Sequence, residues 1–187
     1  MTIIAEPWKS PACEATGRQL VPLPLPVMDA LANGHLRSAA ELFPHKELVL
    51  TPYLVSDECP RSVWAMRSTQ IKADPRDATW VTRLVVDSET GTIVGRAGYH
   101  GQPNQDGMIE VGYAIDPLHR RRGHARAALK ILVDIAAGDP RVKVVRATVR
   151  PDNYASRNLI DQYGFREIGE QWDEEDGLEK ILELSVS

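Results

Sequence analysis

The residues Arg120-Arg121-Arg122-Gly123-His124-Ala125 concentrate positive charge beside a glycine, at a point where a strand pattern gives way to a helix pattern. The first N–H groups of a helix have no intrahelical partners, and the helix dipole adds partial positive charge around them. Gly123 carries no Cβ to hold a ligand away from the main chain. The three guanidiniums add full charge. Such a strand-to-helix turn is a cradle for a pyrophosphate. The same residue types would also serve a plain structural turn or a basic patch for nucleic acid.

Two elements must position this loop. Ile109, Val111, Tyr113 and Ile115 alternate, which predicts a strand ended by Asp116-Pro117. Ala125, Ala128, Leu129, Leu132, Val133 and Ala136 recur at helical spacing, and Gly138-Asp139-Pro140 stops the helix they predict. Upstream, Thr79–Asp87 and Thr92–His100 read as strands joined by Ser88-Glu89-Thr90-Gly91, with the GQPNQDG loop leading on to Ile109. Downstream come a strand over Val142–Val149, a helix opened by Pro151-Asp152-Asn153 and closed by Gly164, and a strand pair over Phe165–Trp172 and Leu178–Val186.

Near the start, residues 1–20 lack periodicity and read as a tail or surface arm. Val21–Val27 is extended, and its prolines make it a poor candidate for an edge strand. Asp29–Phe43 predicts a helix with a weak point at Asn33-Gly34, and Pro60–Lys72 a second one. LVLTPYLVS between them is a strand or an extended connection. The expected organisation is one domain over residues 21–187: an α+β fold around a mostly antiparallel sheet with one parallel pairing.

Composition narrows the partners. A chain of 187 residues with 43% hydrophobic residues is long enough to bury a sizeable core. A net charge of −4, with no basic stripe beyond the arginine run, argues against nucleic acid. Cys13 and Cys59 lack CxxC spacing and the five histidines form no HExxH pair, so no metal is expected. No apolar run approaches a membrane span, and residues 1–20 lack the pattern of a signal peptide, so the expected location is the cytoplasm.

At Arg120, Gly123 and Ala125 the chain resembles the GNAT superfamily of N-acetyltransferases, whose acetyl-CoA loop reads Q/R-x-x-G-x-G/A. A second segment, Val149 to Phe165, is similar to the N-x-x-S…G-F stretch of the RimJ/RimL-like branch, with Asn153, Ser156, Gly164 and Phe165 in the matching places. The resemblance covers roughly Thr79 to Leu184. It implies a sheet flanked by helices whose two central strands splay like a V to admit coenzyme A. It also implies acetyl transfer from acetyl-CoA to a primary amine by direct attack in a ternary complex.

On that resemblance, Arg120, Arg121, Arg122, Gly123, His124 and Ala125 bind the phosphates, His124 through its backbone N–H. Tyr113, Ala114 and Ile115 pair with the pantetheine arm as an added strand, with an N–H near Ala114 facing the thioester carbonyl. Asn153 holds the pantetheine amide or simply caps its helix. Ser156 donates to the departing sulfur or is a solvated serine. Many relatives carry a tyrosine four residues before Gly-Phe, and here that position is Ile160, which leaves the general acid open; Tyr163 is expected to point into the core.

Glu110 is the general-base candidate, acting through water, or an outward-facing strand carboxylate. His100 is a second candidate, although an exposed loop histidine is the favoured reading. The carboxylates of Asp173–Asp176 could attract a cationic amine, and Trp64, Trp80 and Trp172 could line an acceptor pocket; a charged hairpin tip and core packing are the default readings. The acceptor is expected to be a small-molecule amine, with a peptide N-terminus as the alternative. A longer acyl donor, a non-catalytic coenzyme A sensor, and a monomer or a homodimer stay open.

Overall fold

A computed structural model describes residues 6–174 and 176–186. The order is β1 (Arg18–Val21), α1 (Leu25–Ala32), α2 (Leu36–Leu42), α3 (Arg61–Ala73), β2 (Arg83–Asp87), β3 (Thr92–Tyr99), β4 (Met108–Ile115), α4 (His124–Ala137), β5 (Val144–Val149), α5 (Tyr154–Gln162), β6 (Arg166–Asp173) and β7 (Gly177–Ser185). The seven strands form one sheet in the order β1-β2-β3-β4-β5-β7-β6. Every neighbouring pair is antiparallel except β4 and β5. The α+β class and the mostly antiparallel sheet are as the sequence implies.

Strand alternation divides the core between the two faces of the sheet. Ile109, Val111 and Ile115 of β4 join Val145, Ala147 and Val149 of β5 beneath α4. Leu84 and Val86 of β2 and Ile93 of β3 face the other way, onto α1 and α3. Within α4, Leu129, Ile131 and Leu132 are fully buried, each contributing about 1.5–3 kcal/mol. Ala127 and Ala128 are buried beside them and let the helix lie close on the sheet.

β4 and β5 stay in register only from Met108↔Val144 to Val111↔Ala147. Beyond that point the two strands no longer pair with each other, β4 running on to Ile115 beside β3 and β5 to Val149 beside β7. This is the splay, and it opens toward the N-terminus of α4.

Three expectations change. The first strand begins at Arg18, inside the stretch read as a tail, because Leu20 pairs with Trp8 and Arg18–Val21 pairs with β2 despite the prolines that follow. Arg83 fixes this arm: its guanidinium lies 3.5 Å from the Trp8 ring centroid and donates to the Glu6 and Thr79 carbonyls. The helix expected over Asp29–Phe43 is two helices, broken at Asn33-Gly34, where Gly34 has φ +74°. Within LVLTPYLVS, Pro52–Val55 forms a 3-10 turn, its proline at the first position. Among the described residues no helix is long and apolar enough to cross a membrane.

Candidate active site

The loop between β4 and α4 is built from short-range contacts. The Asp116 side chain accepts from the Leu118 N–H, which holds the turn after the strand. Arg120 folds back: its Nε donates to the Ile115 carbonyl at 3.0 Å and its Nη2 pairs with Glu58 at 2.9 Å. Expected to touch phosphate, this guanidinium instead ties the loop to β4 and to the segment before α3. Arg121 has φ +65° and Gly123 φ +81°. Left-handed residues alternating along a turn direct successive N–H groups into one concavity. Among the described residues no backbone acceptor is taken by the N–H groups of Arg121 to Arg126. A Cβ built on Gly123 meets nothing within 4 Å, so the approach to those groups is open. Arg121 and Arg122 are exposed. These features fit a diphosphate.

His124 takes a different place from its neighbours. It is buried, and its Nδ1 accepts from the Arg18 Nε at 3.3 Å. Burial, with the Arg18 charge, holds it below the ordinary imidazole value, so it stays neutral and serves as an acceptor that pins α4 to β1. Ala125 is half-buried in the first turn of α4.

The open side of β4 follows from its pairing. His100 N–H donates to the Glu110 carbonyl and Asp116 N–H to the Val94 carbonyl, so even-numbered residues of β4 bond toward β3. Tyr113 and the Ile115 N–H therefore face the splay, Val111 lying in the last pair with β5 and the Ile115 carbonyl being taken by Arg120. Ala114 itself pairs with Arg96 of β3, so the N–H groups near it that face the splay are those of Tyr113 and Ile115.

The same alternation sends side chains of opposite chemistry to opposite faces. On the α4 face, the Tyr113 hydroxyl and Ser156 Oγ share a hydrogen bond of 2.8 Å. Burial pushes the Tyr113 phenol up, opposed by the Ser156 contact, so it stays protonated at neutral pH. This contact between residues 43 positions apart is the part of the site that motif reading missed. Asn153 caps α5, its side chain accepting from the Ser156 N–H at 3.1 Å. Ile160 is buried in the core, and the Tyr163 hydroxyl donates to the Arg126 carbonyl rather than reaching the splay.

On the other face, Glu110 Oε1 accepts from Thr148 Oγ1 at 2.8 Å and lies 3.5 Å from His100 Nδ1. The His100 ring lies over Gly112: a Cβ added there would come within 2.9 Å of Nε2. Its main-chain carbonyl accepts from Arg67 Nη1 at 3.0 Å and Gln70 Nε2 at 2.7 Å. His100 lies just past the end of β3 with its side chain 46% exposed, the exposed loop histidine expected, and it also stands beside Glu110. Desolvation lowers its pKa, Glu110 opposes the shift, and Arg67 and Arg96 reinforce it.

The aromatic pocket does not assemble. Trp64 is fully buried with its Nε1 donating to the Leu54 carbonyl, Trp80 packs against Tyr99, and Trp172 is 77% exposed on the last hairpin. In that hairpin the Asp176 N–H donates to Asp173 Oδ1; Glu175 lies outside the described residues. A cleft of about 390 Å³ lined by Trp8, Trp80, Pro140 and Arg141 sits at the C-terminal end of α4, away from the splay. Among the described residues no group of three or more His, Cys, Asp or Glu side chains is placed to hold a metal ion. Burial pushes the Cys59 thiol up, and Cys13 is exposed with its thiol donating to the neighbouring Glu14.

Residues 27–166 match the family described as acetyltransferase (GNAT) domain. Over 82 residues the chain is 33% identical to an uncharacterized N-acetyltransferase, YjdG, of Bacillus subtilis, a stretch covering 44% of this chain and 49% of that protein. The match thus spans about half the length of that relative. Among solved structures, Mycobacterium smegmatis RimJ in complex with CoA-disulfide is 20% identical with a TM-score of 0.62, covering 96% of this chain and 86% of that one. A chimera of the spermidine N-acetyltransferase SpeG from Vibrio cholerae and hSSAT is 15% identical with a TM-score of 0.64, covering 91% and 96%.

Proposed function

The chain belongs to the acetyltransferase (GNAT) family, and we propose that it transfers an acetyl group from acetyl-CoA to a primary amine within a ternary complex. The observation that carries this reading is the splay itself: an open β4 edge with a nest at its mouth, a histidine–glutamate pair on one face and a tyrosine–serine pair on the other.

The nest of Arg121–Arg126 N–H groups and the α4 dipole receive the diphosphate, and Arg122 adds charge from the surface. Arg120 holds the loop in shape through Ile115 and Glu58. Tyr113 and Ile115 offer backbone groups to an amide-bearing arm, which would bind as a strand does. Bound acetyl-CoA supplies the thioester, and holding both reactants together supplies proximity.

His100, neutral at neutral pH and steered by Glu110, accepts the proton of the attacking amine directly or through water. Glu110, with Thr148 fixing its carboxylate, is the other candidate for that proton. Ser156 donates to the departing sulfur and is itself backed by the Tyr113 hydroxyl. The acceptor in this reading is a small-molecule amine. A peptide N-terminus is the other acceptor class to be tested.

The test is thiol release from acetyl-CoA against amines, amino acids and short peptides, with wild type, Glu110→Gln and Ser156→Ala side by side. Turnover with any acceptor, slowed by at least about tenfold in both variants, is the expected result. Coenzyme A binding without thiol release on any acceptor would overturn the enzyme reading. Failure to bind coenzyme A would overturn the assignment of the loop.

A further inference from the structure

We propose that the face of the sheet carrying Glu110 and His100 also holds an anion subsite built on Arg96, backed by Arg67 and Tyr53, so that the acceptor amine carries a carboxylate. This rests on the transfer reading above and narrows its acceptor.

Arg96 reaches this face because of a bulge. β2 and β3 slip by one residue between Val85↔Gly95 and Val86↔Ile93, leaving Val94 as the extra residue. Before the slip Val94 faces the α4 core; after it Ala97 and Tyr99 do, so Arg96 turns to the opposite side. Bulges beside active sites re-aim side chains in this way. The bulge admits only glycine at its second position: a Cβ on Gly95 would stand 2.3 Å from the Ala114 carbonyl oxygen. Arg96 is thereby set opposite Ala114, in register with the splayed half of β4 and on the side of the general-base pair.

Of the two guanidiniums there, Arg67 feels Asp77 and Glu110 through space, but no direct carboxylate contact holds either among the described residues. Arg96 Nε is buried with no hydrogen-bond partner. Among the described residues neither Arg96 nor Arg67 forms an ion pair with an Asp or Glu, although Arg18, Arg76, Arg120, Arg141, Arg146, Arg150 and Arg157 all do. Arg67 is buried and satisfied through Thr82, Gln70 and the His100 carbonyl. Arg96 meets the buried Cys59 thiol, a weak acceptor. The two guanidiniums repel: after burial, Arg96 is the largest cause that lowers Arg67.

Arg96 is half-buried with its Nε unpartnered, and a planar carboxylate accepting two parallel N–H bonds would satisfy that donor. Tyr53, buried near Cys59 and Arg96, keeps its proton, its pKa pushed up to about 12; its hydroxyl donates to the Ala114 carbonyl over a long 3.5 Å and would turn to a carboxylate bound there. A polycation would meet two like charges here. An amine with a carboxylate a few bonds away, as in a free amino acid, meets a complementary site beside the base.

The experiment compares kcat/KM for pairs of acceptors that differ only in this charge, free amino acids against their carboxamides, with spermidine as the polycationic probe. In the wild type the carboxylates are expected to be preferred by at least tenfold. In Arg96→Gln that ratio should fall toward one, through KM, and Arg96→Lys should lie between, because it keeps the charge and loses the fork. A wild-type ratio near one, a ratio unchanged in Arg96→Gln, or spermidine as the better acceptor overturns the subsite and leaves acetyl transfer standing. No thiol release with any amine overturns both. Should Arg96→Gln fail to fold, the wild-type ratio and its change in Tyr53→Phe decide.

Discussion

Replacing Tyr113 with phenylalanine tests the serine–tyrosine pair most directly. The substitution removes one oxygen and the 2.8 Å hydrogen bond to Ser156 Oγ, and leaves the ring packed as before. A net intramolecular hydrogen bond is worth about 0.5–1.5 kcal/mol. For a chain of this size that corresponds to a fall in Tm of about 1–6 °C. The effect on rate is separable from it. General-acid assistance is worth about 10²–10⁴-fold, and a thiol with a pKa near the cysteine value of about 8.5 needs little help to leave. Ser156→Ala should therefore cost kcat about 10²-fold, at the low end of the range. Tyr113→Phe, which leaves Ser156 to donate unsupported, should cost about tenfold. The double variant should match Ser156→Ala alone, because the two groups act in series. The assay is steady-state thiol release with two donors, acetyl-CoA and an acetyl thioester of an aromatic thiol of lower pKa. With the second donor both defects should shrink, since its leaving group departs unaided. Equal defects with both donors, additive losses in the double variant, or Tyr113→Phe within twofold of wild type would refute the relay.

Two further outcomes are expected. Gly123→Ala should lower stability by about 1–2 kcal/mol, the cost of a left-handed alanine, because its Cβ meets no neighbour at φ +81°; the same Cβ should weaken coenzyme A binding at least tenfold by calorimetry, and unchanged affinity would contradict the nest. In the pH profile of kcat/KM, the acidic limb should lie below the ordinary imidazole value of about 6.5, because activity needs neutral His100 and its pKa is lowered. Glu110 is the group that raises His100, so Glu110→Gln should move that limb to still lower pH; a limb that stays in place would exclude His100 as the base.

The parts legible in the sequence are those with local causes. The alternation from Ile109 to Ile115, the stop at Asp116-Pro117, and the helical spacing from Ala125 to Ala136 all depend on residues within a turn or two of one another. The break at Asn33-Gly34 and the cap at Asn153 are of the same kind. What escaped depends on distant partners. β1 forms because Leu20 finds Trp8 and Val86 finds Gln19, while the prolines after Val21 signal against a strand. Arg96 lies on the same face of the sheet as Glu110 because of a bulge packed against the Ala114 carbonyl of the neighbouring strand. One signal was available: Tyr113 shares its parity with Val111 and Ile115, so any polar residue pointing inward from α5 would meet it on the α4 face.

The fork between β4 and β5 is held by the same groups that are proposed to react. Backbone pairing ends at Val111↔Ala147, and there Glu110 bridges to Thr148 of β5 on one face, while Tyr113 reaches Ser156 of α5 on the other. A proton acceptor and a proton donor placed on opposite faces of one strand cannot neutralise each other, because the sheet lies between them. On the proposed mechanism the amine would lose its proton on the side of α1 and α3, and the sulfur would gain one on the side of α4 and α5. Since Glu110 and Tyr113 shape the opening as well as line it, alanine at either position would widen the fork and remove the group together. Glutamine and phenylalanine keep the volume and remove only the chemistry. A loss of rate in those two variants with coenzyme A affinity retained therefore reports on proton transfer, and a loss of both reports on the geometry of the fork.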